Sequence, residues 1–206
     1  MIYVLAGGRS TRMKDADKAH MKFAKDRTIL GFILDNLTGH FSTKKVSLVV
    51  KNHEDFLVYQ KKYKVGIVED LIDAGPLGGI YSGLQHSTSA VNFFMGCDMP
   101  FLQPDLIKWM LNNCQQDILI PRQNSHLEPL AAVYQKSCLS AIKRALDSGS
   151  RKILDFFPEV EVEYLEEDMI QAISPFNYHF FNINNKKDYQ FAVNEIIPLL
   201  KKNRKI

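Results

Sequence analysis

Runs of consecutive apolar residues alternate with segments of helical periodicity along the first half of the chain. Short, continuously apolar runs are typical of strands buried on both faces of a sheet, and such strands are predicted at residues 2–5, 46–50, 65–68, 91–95 and 117–120. Between them, apolar residues recur at helical spacing at residues 28–37, 56–63, 77–85 and 102–111. This alternation predicts an α/β fold, a Rossmann-like and mostly parallel sheet with helices on both faces.

The second half of the chain is less regular. It predicts a strand at 130–134, a helix at 137–146, a half-exposed strand at 160–165, a last strand end at 180–184 and a terminal helix at 187–200. No internal repeat or linker divides the sequence, so we expect one domain over residues 1–206. Residues 199–206 form a basic tail that we expect to be solvated and frayed.

Composition narrows the class of protein. The 206 residues are 46% hydrophobic and 24% charged with a net charge of +3, which fits a globular domain and does not favour nucleic-acid binding. The three cysteines lack the spacing of a disulfide framework or a zinc site, which favours free thiols in a reducing compartment. The six histidines show no metal-ligand spacing and are expected mostly at the surface or in loops. Without a signal peptide or a membrane-length apolar stretch, we expect a cytoplasmic protein with no membrane partner.

A glycine pair followed by basic residues comes directly after the first predicted strand. Gly7 and Gly8 let the backbone approach a ligand and aim amide groups at phosphate oxygens. Arg9, Arg12 and Lys18 add cationic donors that could neutralise a triphosphate. A surface turn that is merely basic is the alternative interpretation. The segment matches neither a Walker A loop nor the dinucleotide fingerprint, because the lysine and the third glycine that these motifs need are absent.

A single carboxylate, Asp98, follows the fourth predicted strand, and Pro100 turns the chain shortly afterwards. Mg²⁺ takes carboxylate and phosphate oxygens and keeps several waters, so one or two protein ligands suffice. Asp98 is therefore the candidate magnesium ligand, and Asn182 or Asn184 could supply a second oxygen. Capping of the next helix by Asp98 and turn positions for the asparagines are the alternatives.

A second glycine-rich segment spans residues 73–80. Gly78 and Gly79, near a predicted helix start, would let a nucleobase lie against the backbone, although tight helix–strand packing explains the pair equally well. Asp70 closes the third strand and could accept from a base or a ribose hydroxyl, and Asn52 follows the second strand. Because ligands of open α/β sheets bind at the carboxyl ends of the strands, we expect all these segments to converge on one edge.

Taken together, the motifs resemble those of the molybdenum cofactor guanylyltransferases of the MobA type. The similarity covers nearly the whole chain and is carried by Leu5-Ala6-Gly7-Gly8-Arg9-Ser10-Thr11-Arg12-Met13 with Asp17-Lys18, Glu69-Asp70, Gly75-Pro76-Leu77-Gly78-Gly79-Ile80, Cys97-Asp98-Met99-Pro100, Glu128-Pro129-Leu130, and Phe181-Asn182-Ile183-Asn184. Lys14 stands where the family usually has glycine, and none of the departures removes a charged group that the chemistry needs.

The resemblance implies a fold of the nucleotide-diphospho-sugar transferase type and transfer of GMP from GTP to the terminal phosphate of molybdenum-bound molybdopterin. It implies Mg²⁺ as cofactor, catalytic roles for Arg12, Lys18 and Asp98, and metal ligation by Asp98 and Asn182. The implied nucleotide-binding residues are Leu5, Ala6, Gly7, Gly8, Lys18, Asn52, Asp70, Gly78, Gly79 and Asp98. Glu128, Arg151 and Lys152 would face the second substrate.

Two other functions stay open at this point. One is a different nucleotidyltransferase of the same fold, either a CTP-using molybdopterin cytidylyltransferase or an enzyme that activates a sugar or alcohol phosphate. The other is a non-catalytic carrier of nucleotide or cofactor. Molybdenum-cofactor insertion proteins or apoenzymes are conceivable protein partners in each case.

Overall fold

One sheet organises the part of the chain that the computed structural model describes, residues 1–6, 23–24, 27–70 and 72–203. Its strands are β1 (Ile2–Leu5), β2 (Val46–Val50), β3 (Gly66–Glu69), β4 (Val91–Gly96), β5 (Ile118–Gln123), β6 (His126–Leu127), β7 (Ala131–Gln135) and β8 (Val162–Glu166). The eight-stranded sheet has the order β3-β2-β1-β4-β7-β5-β6, and β8 pairs with β5.

The direction of the strands decides what lies at each edge. β1 pairs in parallel with β2 and β4, and β2 pairs in parallel with β3. β7 is antiparallel to both β4 and β5, whereas β8 is parallel to β5. The carboxyl ends of β1 to β5 and β8 therefore share one edge with the beginning of β7. The predicted mostly parallel α/β sheet is confirmed, with β7 as a reversed strand inside it.

The helices lie close to the predicted positions, except the one at Glu167–Ile173, which was not predicted. They are α1 (Ile29–Thr38), α2 (His53–Lys62), α3 (Gly75–His86), α4 (Pro104–Asn113), α5 (Leu139–Asp147), α6 (Glu167–Ile173), α7 (Lys186–Phe191) and α8 (Ile197–Asn203). Short 3₁₀ turns cover Thr43–Lys45 and Lys136–Cys138, a longer one covers Ile153–Glu159, and a π-helical segment, Ala192–Ile196, joins α7 to α8. α8 includes Lys201 and Lys202 of the basic C-terminal segment and ends at Asn203.

Each face of the sheet carries its own hydrophobic core. Alternate residues of one strand point to opposite faces, so Val4 packs in the core beneath α1 and α4 while Tyr3 packs in the core beneath α3 and α5. Tyr3 stacks on Phe94 of β4 with ring centroids 4.9 Å apart. Both faces are covered, which is why the central strands read as continuous apolar runs. None of the described helices combines the length and apolarity needed to cross a bilayer.

The segment that leads from α6 to α7 differs from the prediction. Residues 180–184 form no strand, although their aromatic and branched side chains favour one. The amide of Phe181 donates to the carbonyl of Tyr178 at 3.2 Å, and that of Ile183 donates to the carbonyl of Asp98 at 2.9 Å. Phe180 and Ile183 are nevertheless buried in the core beneath α1 and α4. The hydrophobicity of this segment reflects burial of an irregular chain and not a strand end.

Candidate functional site

The carboxyl edge of the parallel strands begins with the end of β1. The amide of Ala6 donates to the carbonyl of Val49 at 2.9 Å, and the carbonyl of Leu5 accepts from the amide of Cys97 at 3.3 Å. These bonds hold the exit of β1 between the ends of β2 and β4. Four of the predicted site residues, Gly7, Gly8, Arg12 and Lys18, lie outside the described residues, so their roles stay predictions.

Asp98 occupies the turn directly beyond β4. A Cβ atom on Gly96 would lie 2.5 Å from Asp98 Oδ1, so only glycine lets the carboxylate fold back over the strand end. The amide of Gly96 donates to the carbonyl of Leu130 at 3.0 Å, which fixes this turn against the start of β7. Asp98 is half-buried at the edge where the sequence predicts ligand binding.

A second carboxylate, Glu128, lies close to Asp98. Met95 pairs with Ala131 at the end of the β4–β7 ladder, and Asp98 and Glu128 lie just beyond this end on the two chains. Burial, and then the negative charge of Asp98, raise the pKa of Glu128 to about 7. The sequence associates Glu128 only with the second substrate. Its proximity to Asp98 depends on strand direction, which the hydrophobic pattern does not reveal.

This pair of carboxylates fits a hard divalent cation. Oxygen donors are what Mg²⁺ prefers, and a cation between the two groups would offset the repulsion that raises the pKa of Glu128. Within the described residues no group of three or more His, Cys, Asp or Glu side chains could hold a metal by itself. Waters or the phosphate oxygens of a ligand would complete a coordination shell here.

Asn182 is brought to the same place by the segment that follows α6. The bond from the Ile183 amide to the Asp98 carbonyl sets the backbone of Asn182 beside the Asp98 turn. The side-chain amide of Asn182 donates to the carbonyl of Phe180 at 3.1 Å. Asn184 is exposed and lies towards α7, where its backbone amide donates to Asp188 Oδ2 at 2.7 Å. Ile183 is the chain neighbour of both asparagines, and Asn182 is the half-buried one of the two.

Asp70 is fixed against the first turns of α3. Its Oδ1 accepts from Ser82 Oγ at 3.1 Å and from the amide of Ile72 at 3.1 Å. A Cβ atom on Gly78 would lie 3.2 Å from the same oxygen, so Gly78 makes room for this carboxylate. The carboxylate is thereby held against the side of the first two turns of α3. Ser82 is a residue of this edge that the sequence analysis missed.

Helix–strand packing explains the second glycine of the pair. A Cβ atom on Gly79 would lie 3.2 Å from Leu5 Cδ2 and 3.7 Å from Val49 Cγ1, so its absence lets α3 approach β1 and β2 closely. Gly78 and Gly79 are both buried in this contact. The packing interpretation accounts for Gly79 in full, while contact of the pair with a nucleobase stays a prediction.

Asn52 caps the helix that follows β2. Its Oδ1 accepts from the amide of Asp55 at 2.9 Å, the usual bond of an N-cap asparagine. Its neighbour Lys51 pairs with Asp73 Oδ1 at 3.1 Å and so ties the end of β2 to the loop before α3. Asn52 thus has a structural role, and its contact with a nucleoside stays a prediction.

Further basic groups lie at the end of β5 and after α5, and of these only Arg122 was not singled out by the sequence analysis. Arg122, at the end of β5, donates from Nε to Glu166 Oε2 at 3.1 Å and lies 4.8 Å from the ring centroid of Tyr164. Arg151 and Lys152 are exposed and directly precede the 3₁₀ segment Ile153–Glu159.

The fold and this edge match known proteins. The family model described as "MobA-like NTP transferase domain" matches residues 2–163. A protein of Pelotomaculum thermopropionicum named "Probable molybdenum cofactor guanylyltransferase" is 33% identical, over 90% of this chain and 87% of the relative. A protein of Desulfosudis oleivorans named "Molybdenum cofactor guanylyltransferase" is 29% identical, over 92% of each chain.

A solved structure agrees with these matches. The crystal structure of "Molybdopterin-guanine dinucleotide biosynthesis protein A" from Archaeoglobus fulgidus superposes with a TM-score of 0.84 at 25% identity, over 96% of this chain and 98% of that one. Fold and sequence together define the class as nucleotidyltransferases of the α/β type. The chain belongs to the MobA-like NTP transferase family.

Proposed function

We propose that this protein transfers GMP from GTP to the terminal phosphate of molybdenum-bound molybdopterin, with pyrophosphate as the second product. The observation that carries the proposal is the Asp98 turn beside the exit of β1, where the amide of Cys97 bonds to the carbonyl of Leu5. This turn and the glycine-rich loop after β1 are the two motifs that the proposed chemistry needs. The printed names of the relatives supply the nucleotide and the acceptor.

The reaction needs charge neutralisation more than proton transfer. An acceptor phosphate with a second pKa of about 6 is already a dianion at neutral pH, so no general base is required. One of its oxygens bonds to the α-phosphorus of GTP while the bond to the β-phosphate oxygen breaks, and pyrophosphate leaves with the electron pair. Arg12 and Lys18 are the residues that we propose to hold the phosphates during this displacement.

Mg²⁺ is the cofactor that we propose for this site, with Asp98 and Asn182 as its protein ligands. When bound, the ion would supply positive charge to the phosphate oxygens that receive the developing negative charge. Asp98 keeps its carboxylate over the strand end because Gly96 leaves room for it. Glu128 adds a second negative group next to Asp98, which raises the attraction of this edge for a divalent cation.

The nucleoside would lie on the α3 side of the edge. Asp70 is held there by Ser82 and by a backbone amide, so its carboxylate is preorganised to accept from a ribose hydroxyl or a base N–H. The backbone of Leu5, Ala6, Gly7 and Gly8 would contact the nucleotide from the β1 side. Gly78 and Asn52 complete the set that we propose to surround the nucleoside.

Pyrophosphate release tests the proposal. Each of the four nucleoside triphosphates would be supplied with molybdenum-bound molybdopterin, with and without Mg²⁺, and GTP with Mg²⁺ should give the fastest turnover. Asp98→Ala should lower turnover by several orders of magnitude, whereas Asp105→Ala, an exposed acid in the first turn of α4, should not. A preference for CTP would replace the substrate, and nucleotide binding without any turnover would make the protein a carrier.

The cell compartment and the protein partners are part of the same proposal. GTP and a thiol-containing cofactor are both available in the cytoplasm, which is where we place the reaction. The dinucleotide product is then consumed by molybdenum-cofactor insertion proteins or by the apoenzymes themselves.

A further inference from the structure

Two irregular stretches of chain run side by side at the Asp98 turn. The first leads from Asp98 to Gln103, the N-cap residue of α4, and the second leads from His179 to Ile183. Ile183 donates its amide to the carbonyl of Asp98 at 2.9 Å, and Gln103 donates its amide to Nδ1 of His179 at 3.3 Å. The two stretches are therefore antiparallel and are joined at both ends.

His179 lies in the turn between α6 and α7, and it is buried. Its exposed fraction is only 2%, and its Nε2 lies 2.9 Å from the carbonyl of Ser174. Because Nδ1 accepts from the amide of Gln103, the ring proton is on Nε2 and is donated to Ser174. Burial lowers the pKa of His179, which keeps the ring in this neutral form.

The ring is also held by its aromatic neighbours. Phe176 lies perpendicular to it with ring centroids 5.5 Å apart, and Phe180 lies 5.9 Å away. The two hydrogen bonds and these ring contacts together orient the imidazole. The only polar bond from its side chain to the stretch that carries Asp98 is the bond from Gln103.

We propose that His179 is a positioning residue for the cation site, which sets the register between the two stretches so that Asn182 lies beside Asp98. The inference rests on the proposed function, since it takes Asp98 and Asn182 as the ligands. Without the bond from Gln103, the two stretches stay joined by the Ile183–Asp98 bond but are no longer held at their other end, so their alignment at the Asp98 turn becomes less rigid. The ligand oxygens would then no longer be held at the separation that a cation requires.

Two nearly isosteric variants separate this role from simple packing. In His179→Asn the side-chain oxygen lies near the position of Nδ1 and can accept from Gln103. In His179→Gln the amide reaches the position of Nε2 and can bond to Ser174 only. His40→Asn, at an exposed histidine whose Nδ1 lies 2.8 Å from the carbonyl of Asn36, is the matched control.

The readout is the affinity for Mn²⁺ in the absence of nucleotide. It is measured as the decrease of the electron paramagnetic resonance signal of the free ion when Mn²⁺ binds. We expect His179→Gln to bind three- to tenfold more weakly than wild type, which corresponds to about 0.7–1.4 kcal/mol and is the size of one hydrogen bond. His179→Asn and His40→Asn should stay within about twofold of wild type. Equal binding by wild type and His179→Gln, or equal losses in both His179 variants, would overturn the positioning role.

Failure of the inference is distinguishable from failure of the proposed function. If Asp98→Ala binds Mn²⁺ as well as wild type, the cation site itself is wrong. If Asp98→Ala loses binding while His179→Gln does not, only the positioning role is wrong. Should the variants fail to fold, hydrogen exchange on wild type decides, because an unprotected Gln103 amide would contradict the bond to His179.

Discussion

The carboxylate pair at the sheet edge makes a quantitative prediction for Glu128→Gln. The pKa of Glu128 is about 7 in the folded protein against an ordinary value of 4.5. Each unit of pKa difference corresponds to about 1.4 kcal/mol in the free energy of unfolding. For a fully buried side chain the whole difference would therefore lower the stability of the ionised protein by about 3 kcal/mol. The side chain keeps part of its contact with water, and screening reduces the expected effect to about 1–2 kcal/mol.

The sign follows from the direction of the pKa change. Between pH 4.5 and about 7 the folded protein binds a proton that the unfolded chain has released, so the free energy of unfolding falls as the pH rises. The side-chain amide in Glu128→Gln cannot ionise, so the stability of the variant does not fall with pH in this way. Glu128→Gln should therefore be about 1–2 kcal/mol more stable than wild type above pH 7, and the difference between the two proteins should diminish to its minimum below pH 4.5.

Urea denaturation at pH 4, 6 and 8, with a chelator to remove divalent cations, measures this difference. Glu161→Gln, at an exposed glutamate just before β8, is the matched control and should show no comparable trend with pH. A stability difference that stays constant from pH 4 to 8 would refute the reasoning. A Glu128→Gln variant that is less stable than wild type at pH 8, but not at pH 4, would also refute it.

Three further substitutions test individual contacts. Gly96→Ala should lower turnover about 100-fold, because the new Cβ would lie 2.5 Å from the Asp98 carboxylate, and a steady-state assay with saturating GTP should show the loss in kcat. Ser82→Ala removes the donor to Asp70 and should raise the KM for GTP several-fold with little change in kcat; an unchanged KM would contradict a role for Asp70 at the nucleoside. Gly83→Ala places a Cβ 2.6 Å from an aromatic ring of β4 and should cost about 1–3 kcal/mol in urea denaturation, with KM unchanged if the protein folds.

The parallel half of the fold was predictable because strands that are buried on both faces appear in the sequence as continuous apolar runs. The run at 46–50 coincides with β2, and the runs that predict β1 and β4 end within a residue of the observed strands. The direction of a strand, in contrast, has no comparable signature in the sequence. The reversal of β7, and with it the approach of Glu128 to Asp98, depends on pairings between distant parts of the chain.

The segment around His179 shows the opposite case, in which local composition misleads. Phe180 and Phe181 favour a strand by propensity, yet their environment is an aromatic cluster around an irregular chain. The burial of His179 also has no signal in its neighbours, because the polar groups that satisfy it come from Gln103 and Ser174. Such contacts are tertiary and cannot be inferred from periodicity.

The reversed strand has a consequence for how two substrates meet on one molecule. β7 is hydrogen-bonded along its length to β4 on one side and at its end to β5 on the other. The sheet is therefore continuous from the parallel strands β1 to β4 to the strands β5 and β8. No hinge separates the described strands, and rotation of one half against the other would break this ladder. The donor and acceptor that we propose would therefore bind along one continuous sheet.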